Sequence, residues 1–331
     1  MSLGSVKLYG CGGFGINTVR EWDTKLPANK DIAESEHSPL ISVGYIDTSR
    51  TANLKGDEPE DSVYVVDGLD GAGKIRRDSH KAFAADNAVN QILLKMPPSA
   101  LNIVSFSLSG GSGNTIGTEL TMELIKRGER VLAIITGSSE NALTVQNTLG
   151  SIKTLDYRAR KEGFFVPVVF EDNGDNSERA IVDERVKAII GAFCIMSGPK
   201  ITELDTADIL NWLRPDRVPG INIAPQLALV EVVTDASKLS SIADPISVAS
   251  IITDPTETLQ GVLPDYSTVG YHPKDGRDRQ SYHYVLSIDA IPAIAGLVKG
   301  KLDEIEKRRA ARKVQPSIVG ENDVADDGMF Y

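Results

Sequence analysis

Ser109-Gly110-Gly111-Ser112-Gly113-Asn114-Thr115 places three glycines, three hydroxyls and one amide in seven consecutive positions. Glycine lets an anion approach the backbone, and unpaired backbone N–H groups at a helix start carry the positive end of the helix dipole, so this set suits a phosphate group. A tight turn that merely uses small residues is the simpler reading of the same loop. Gly10-Cys11-Gly12-Gly13-Phe14-Gly15-Ile16-Asn17 is a second glycine loop and fits G-x-G-x-x-G. That pattern also suits a dinucleotide, with an acidic residue about 20 positions on to hold a ribose. Asp47 ends the next apolar run, but roughly 30 residues beyond the loop. Gly68-Leu69-Asp70-Gly71-Ala72-Gly73-Lys74-Ile75 nearly matches a P-loop, with Ile75 where a magnesium-binding hydroxyl is required. Asp205 and Asp208, three apart, share one face of a predicted helix. An N-cap at Asp205 with an acid one turn in explains the same pair without chemistry.

These residues need elements that bring them to one edge. Apolar runs at Val6–Tyr9, Leu40–Ile46, Val63–Val66, Leu101–Leu108, Arg130–Thr136 and Val166–Phe170 read as short buried strands. Between them, helical spacing recurs, as in Ile116, Leu120, Leu124 and Ile125, with Gly128 as a stop. Ser138-Ser139-Glu140-Asn141 offers a cap and an acidic first turn to a helix running to about Lys161. Strand, loop, helix, repeated in this way predicts an α/β fold with a Rossmann-like parallel sheet and ligands at the C-terminal strand ends. Ser177–Met196 follows as a long central helix, apolar all round in its second half and therefore expected between two halves of the molecule. From Pro225 short strand-like runs alternate with Pro, Gly and Asp, predicting a second α+β domain, closed by a long helix over Ala290–Arg312. The expected segments are residues 1–175, the central helix 176–198, 199–289, the helix 290–313 and an acidic tail 314–331.

Composition excludes several classes. The chain has 331 residues, 35 basic against 46 acidic, for a net charge of −11, which argues against direct nucleic-acid binding. Two cysteines, Cys11 and Cys194, are too few for a disulfide framework and point to a reducing compartment. The four histidines form no pair at metal-ligand spacing. No apolar run reaches the roughly 20 residues of a membrane span, and the N-terminus lacks signal-peptide regions, so a cytoplasmic protein without membrane insertion is expected. Ser112 lies in a strand-turn-helix, but Asn114 replaces the last glycine of the G-x-S-x-G pattern of serine hydrolases.

The glycine loops, their order and their spacing resemble those of the tubulin/FtsZ superfamily. Ser109–Thr115 is similar to the GGGTGTG signature, Gly12–Asn17 to the first nucleotide loop, Gly71-Ala72-Gly73 to the third, and Asp205-Thr206-Ala207-Asp208 to the synergy loop. The ending Asn322–Met329 resembles the acidic tail of phage-encoded tubulins of the PhuZ type. The resemblance covers nearly the whole chain and implies a GTPase that polymerises head to tail into cytoskeletal filaments. It implies host bacterial cytoplasm as location, with phage DNA or capsids as cargo. It places GTP or GDP with Mg²⁺ on Gly12, Gly13, Phe14, Asn17, Asp47, Gly71, Ala72, Gly73, Ser109, Gly110, Gly111, Ser112, Gly113, Asn114, Glu140 and Asp183. Within that set Glu140 would contact the ribose, Asp183 the guanine edge, and Asp47 the ribose or, through water, the magnesium; no direct protein ligand to the metal is expected. Asp205 and Asp208 would be catalytic, acting on the next subunit's nucleotide. An NAD-dependent oxidoreductase using Gly10–Gly15 is the alternative. The tail Gly320–Tyr331 is either a solvated acidic terminus or a strip that docks on a basic patch of the adjacent subunit.

Overall fold

In a computed structural model, described for residues 4–32, 39–67, 83, 87–174, 179–198, 201–242, 244–254, 262–272 and 280–312, the apolar runs become strands β1 (Ser5–Cys11), β2 (Leu40–Asp47), β3 (Val63–Val65), β4 (Leu101–Ser107), β5 (Val131–Ser138) and β6 (Val166–Asn173). All pair in parallel, in the order β3-β2-β1-β4-β5-β6. The later strands are β7 (Leu227–Val233), β8 (Pro245–Ile252), β9 (Tyr266–Tyr271) and β10 (Tyr282–Ser287). They continue the same sheet as β6-β7-β10-β8-β9. Hydrogen bonding therefore runs unbroken from the parallel half into the mixed half, through a short parallel join of Val166–Val168 with Leu227–Leu229.

Side-chain alternation along the strands sorts the helices onto two faces. Val6, Leu8, Ile103, Leu132 and Ile134 point to one core, shared with α1 (Gly12–Arg20), α5 (Arg179–Met196) and α6 (Thr206–Leu213). Tyr9, Cys11, Val104, Phe106 and Ile135 point to the other, shared with α2 (Ala88–Lys95), α3 (Ser112–Lys126), α4 (Ala142–Glu162) and α7 (Ala290–Ala310). Helix stops follow local chemistry. Gly163 ends α4 in the left-handed conformation, and Gly128 adopts it just after α3.

Helix α5 packs against strands of both the parallel and the mixed parts of the sheet. Val182, Val186 and Ile190 are fully buried against the parallel strands, while Phe193 joins Trp212 and Tyr284 in an aromatic cluster with ring centroids 5.2–6.2 Å apart. Its polar atoms are satisfied: Tyr284 Oη donates to the Ala192 carbonyl at 2.6 Å, and Trp212 Nε1 to the Tyr284 carbonyl at 2.9 Å. On the opposite face α7 lies along α4 through Val145, Leu149, Val298 and Leu302. Lys301 Nζ reaches Asp172 at the end of β6 at 2.6 Å. Among the described residues no helix is long and apolar enough to cross a membrane.

Candidate nucleotide-binding site

Four adjacent parallel strands, β1, β4, β5 and β6, end on Cys11, Ser107, Ser138 and Asn173, and all four residues line one cleft of about 260 Å³. A crevice outside the C-terminal ends of parallel strands is where such sheets bind ligands. The rest of the wall is Gly13, Phe14 and Asn17 from α1, Ser109, Gly110 and Gly113 from the loop after β4, Glu140 and Thr144 at α4, and Arg179 and Asp183 from α5.

The floor is backbone pressed on backbone. Gly12 has φ +67°, and a Cβ there would lie 2.8 Å from Gly113 Cα. A Cβ on Gly113 would lie 2.5 Å from the Cys11 carbonyl oxygen. Gly15 is tighter still, since its Cβ would overlap the Ser105 carbonyl. Only glycine fits at these positions, so the starts of α1 and α3 meet with their free N–H groups side by side. Neither start has a side-chain cap: no side chain bonds back at Cys11 or at Gly111. Two uncapped helix N-termini converging on one cleft form an anion cradle.

Of the residues expected from the sequence, Gly13, Phe14, Asn17, Ser109, Gly110, Gly113, Glu140 and Asp183 come together around the cleft, and Gly12 supports its floor. Gly111 and Ser112 lie at the start of α3 without lining it; Ser112 Oγ is bonded to Thr48 Oγ1 at 2.6 Å. Asn114 is turned away from the cleft. Its amide donates to Ser151 Oγ on α4 at 2.7 Å, because α3 already begins at Ser112 and the phase of its first turn directs Asn114 inward. Asp47 is buried at 2 % exposure, with one oxygen accepting from Asn53 Nδ2 and the other from the Thr48 amide. Burial raises its carboxyl above the usual range, and those two hydrogen bonds oppose the shift. Glu140 precedes the helix rather than entering its first turn; Asn141 is the cap, forming a capping box with Thr144. Gly71, Ala72 and Gly73 lie outside the described residues.

The carboxylates differ in surroundings. Glu140 is paired with the Arg179 guanidinium. Burial raises Asp183, partly offset by nearby Lys187. Asp205 and Asp208 do not line the cleft. They form a reciprocal capping box at the start of α6, with Asp205 Oδ1 accepting from the Ala207 and Asp208 amides at 2.7 and 3.0 Å. Asp208 Oδ2 accepts from the Asp205 amide at 3.1 Å, and its Oδ1 accepts from Tyr266 Oη at 3.2 Å. The backbone amides hold the Asp205 carboxyl below the usual range.

Sequence reasoning missed Cys11, Ser107, Ser138, Thr144, Asn173 and Arg179. Ser107, Ser138 and Asn173 carried a readable signal, as polar residues closing apolar parallel strands. Arg179 carried none.

A parallel sheet with paired glycine loops at its strand ends, joined to a mixed second half, has the layout of the tubulin/FtsZ-like fold. Residues 204–291 match the family described as "Phage tubulin-like protein, C-terminal domain". Over its whole length the chain is 27% identical to a phage tubulin-like protein of Pseudomonas phage PhiPA3 and 24% identical to one of Pseudomonas phage phiKZ, covering 99% of each. In fold it is similar to the protofilament of TubZ from bacteriophage PhiKZ, with a TM-score of 0.82 and 24% identity over 98% of this chain and 99% of that one. It is likewise similar to the phage tubulin PhuZ solved with GDP, with a TM-score of 0.83 and 21% identity over 100% of both chains. Residues 204–291 thus match the phage tubulin-like family's C-terminal domain, and the chain as a whole is similar to phage tubulin-like proteins in sequence and fold.

Proposed function

We propose that this chain binds GTP in the cleft at the ends of β1, β4, β5 and β6, polymerises head to tail, and hydrolyses GTP where one subunit's Asp205 and Asp208 meet the next subunit's nucleotide. The observation that carries this reading is the glycine-on-glycine floor, where Cβ atoms would fill the space and two uncapped helix starts present N–H groups to an anion. Gly12, Gly13, Ser109, Gly110 and Gly113 hold the phosphates, Glu140 the ribose, and Asn17 with Asp183 the base edge. Arg179, the one cation among the described residues lining the cleft, is paired with Glu140, so the triphosphate charge falls to backbone dipoles and to Mg²⁺. The described residues include no cluster of acids, histidines and cysteines able to hold a metal alone. In this reading Mg²⁺ travels on the phosphates and keeps its waters. When bound, the ion neutralises charge on the transferring phosphoryl group.

Positioning a water and stabilising charge carry most of the rate in phosphoryl transfer. A carboxylate on the following subunit supplies the first only in the polymer, which links hydrolysis to assembly. The basic residues Lys307, Arg308 and Arg309 in the last turn of α7, with Arg312 just beyond it, are exposed and offer a docking surface for an acidic tail from a neighbour. Tail docking by Gly320–Tyr331, the host cytoplasm as location and phage DNA or capsids as cargo are parts of the same proposal.

A mixing experiment tests it. Asp205→Asn subunits keep the pocket and Gly113→Ala subunits keep the acids. Mixed with each other, they should release phosphate faster than either alone; no gain in filaments shown to contain both would reject a site shared between subunits. The oxidoreductase reading is less well supported, since Asp47, the acid it needs, is buried and does not line the cleft.

A further inference from the structure

Arg179 opens α5, where a positive charge opposes the helix dipole and no acidic residue in the first turn offsets it. Helix stability therefore does not explain it. Its guanidinium crosses the cleft to Glu140, from the loop before α4, donating through Nε and Nη2 to the same Oε1. The two partners differ: the Arg179 side chain is 52% exposed and the Glu140 side chain 10%. An ion pair with one exposed partner contributes little to stability, so the contact is also poorly explained as a fastener. The loop that carries Glu140 is already anchored without it, by Ser139 Oγ donating to the Gly174 carbonyl at 3.0 Å and by Lys301 Nζ within 3.3 Å of Ser139 Oγ. Among the described residues, no hydrogen bond other than those from Arg179 fixes the Glu140 carboxylate. Arg179 holds Oε1 and leaves Oε2 for another donor.

We propose that Arg179 is a positioning residue for ribose recognition: by gripping Glu140 Oε1 it aims the remaining oxygen at the ribose hydroxyls of the bound nucleotide. The inference rests on the reading of Glu140 as the ribose contact. A planar guanidinium suits this task, because it fixes the orientation of a carboxylate as an ammonium does not.

The test uses the full chain below the concentration at which light scattering shows assembly, titrated with GDP and with 2′,3′-dideoxy-GDP. The wild type should prefer GDP by about tenfold or more, as expected for hydrogen bonds to a charged acceptor. Glu140→Ala and Arg179→Ala should both bring that ratio to within about twofold of unity while leaving dideoxy-GDP affinity within about threefold of wild type. The retained dideoxy-GDP affinity shows that the variants are folded. Arg179→Lys should recover only part of the preference. If Arg179→Ala weakens GDP and dideoxy-GDP equally, the arginine acts on the phosphates or the fold and the inference is overturned. An unchanged ratio overturns it as well. A wild type that binds GDP without preferring it to the dideoxy form removes the ribose role of Glu140 and the inference together. A wild type that binds neither nucleotide rejects the function proposed above.

Discussion

Replacing Gly113 by alanine separates a phosphate cradle from an ordinary tight turn. The new Cβ would lie 2.5 Å from the Cys11 carbonyl oxygen, and 3.3 Å from both Cys11 C and Gly12 Cα. All three are backbone atoms, so no side chain can swing aside. Restoring an ordinary C···O separation of about 3.3 Å requires the starts of α1 and α3 to part by about 0.8 Å. Overpacking of this kind costs about 1–3 kcal/mol of stability, which a buried sheet of this size survives. The effect on binding is larger relative to its origin. Backbone N–H bonds to phosphate are charge-assisted, each contributing about 1.5–3 kcal/mol, so misaligning one of them lowers GDP affinity about 10- to 100-fold. Calorimetric titration of the full chain with GDP, beside a denaturant melt, reads both quantities. Gly113→Ala with wild-type GDP affinity and a measurable loss of stability would show that the phosphates do not rest on this floor.

Other substitutions probe separate links. Asp205→Asn keeps the cap, since asparagine caps as well as aspartate, so stability should change by less than about 0.5 kcal/mol while phosphate release from assembled filaments slows; equal turnover would remove the catalytic role. Asp205→Ala additionally loses the cap, at about 0.5–2 kcal/mol in the melt. Because the native pKa of Asp205 is lowered, its favourable contribution is present above its ordinary value of 3.8 and is lost as pH falls through the lowered one. Asp183 has the opposite sign: burial raises it above 3.8, so stability falls as pH rises from 3.8 toward that raised value and the full cost remains above it. Asp183→Asn should therefore melt higher at pH 7 yet bind GDP more weakly; a lower melting temperature would contradict this account of its environment. Deleting Gly320–Tyr331 should raise the critical concentration in a sedimentation assay and make assembly more sensitive to salt.

The parallel half was legible because each strand is a short apolar run handed directly to a glycine loop and an amphipathic helix, and the two loops at Gly12 and Gly113 lie at the ends of adjacent strands. Continuity of the sheet across β6 and β7 was not, since strand pairing between distant segments leaves no local trace and the join is only three residue pairs long. The direction of the Asn114 side chain is a matter of helix phase. Its residue type suits a phosphate loop, but α3 begins two residues earlier and turns its amide toward Ser151. Arg179 was hidden because its partner, Glu140, is carried by a different strand-loop-helix unit, and no spacing rule links them. For Asp205 the sequence allowed a cap or a catalyst; a single subunit displays the cap, and only the polymer can display the catalyst.

The central claim, nucleotide-driven assembly through this cleft, is tested most directly by light scattering of the full chain with GTP, ATP or NAD, read together with phosphate release. Scattering and phosphate release are expected with GTP and Mg²⁺, and neither with ATP or NAD. Assembly that proceeds equally without GTP would contradict it.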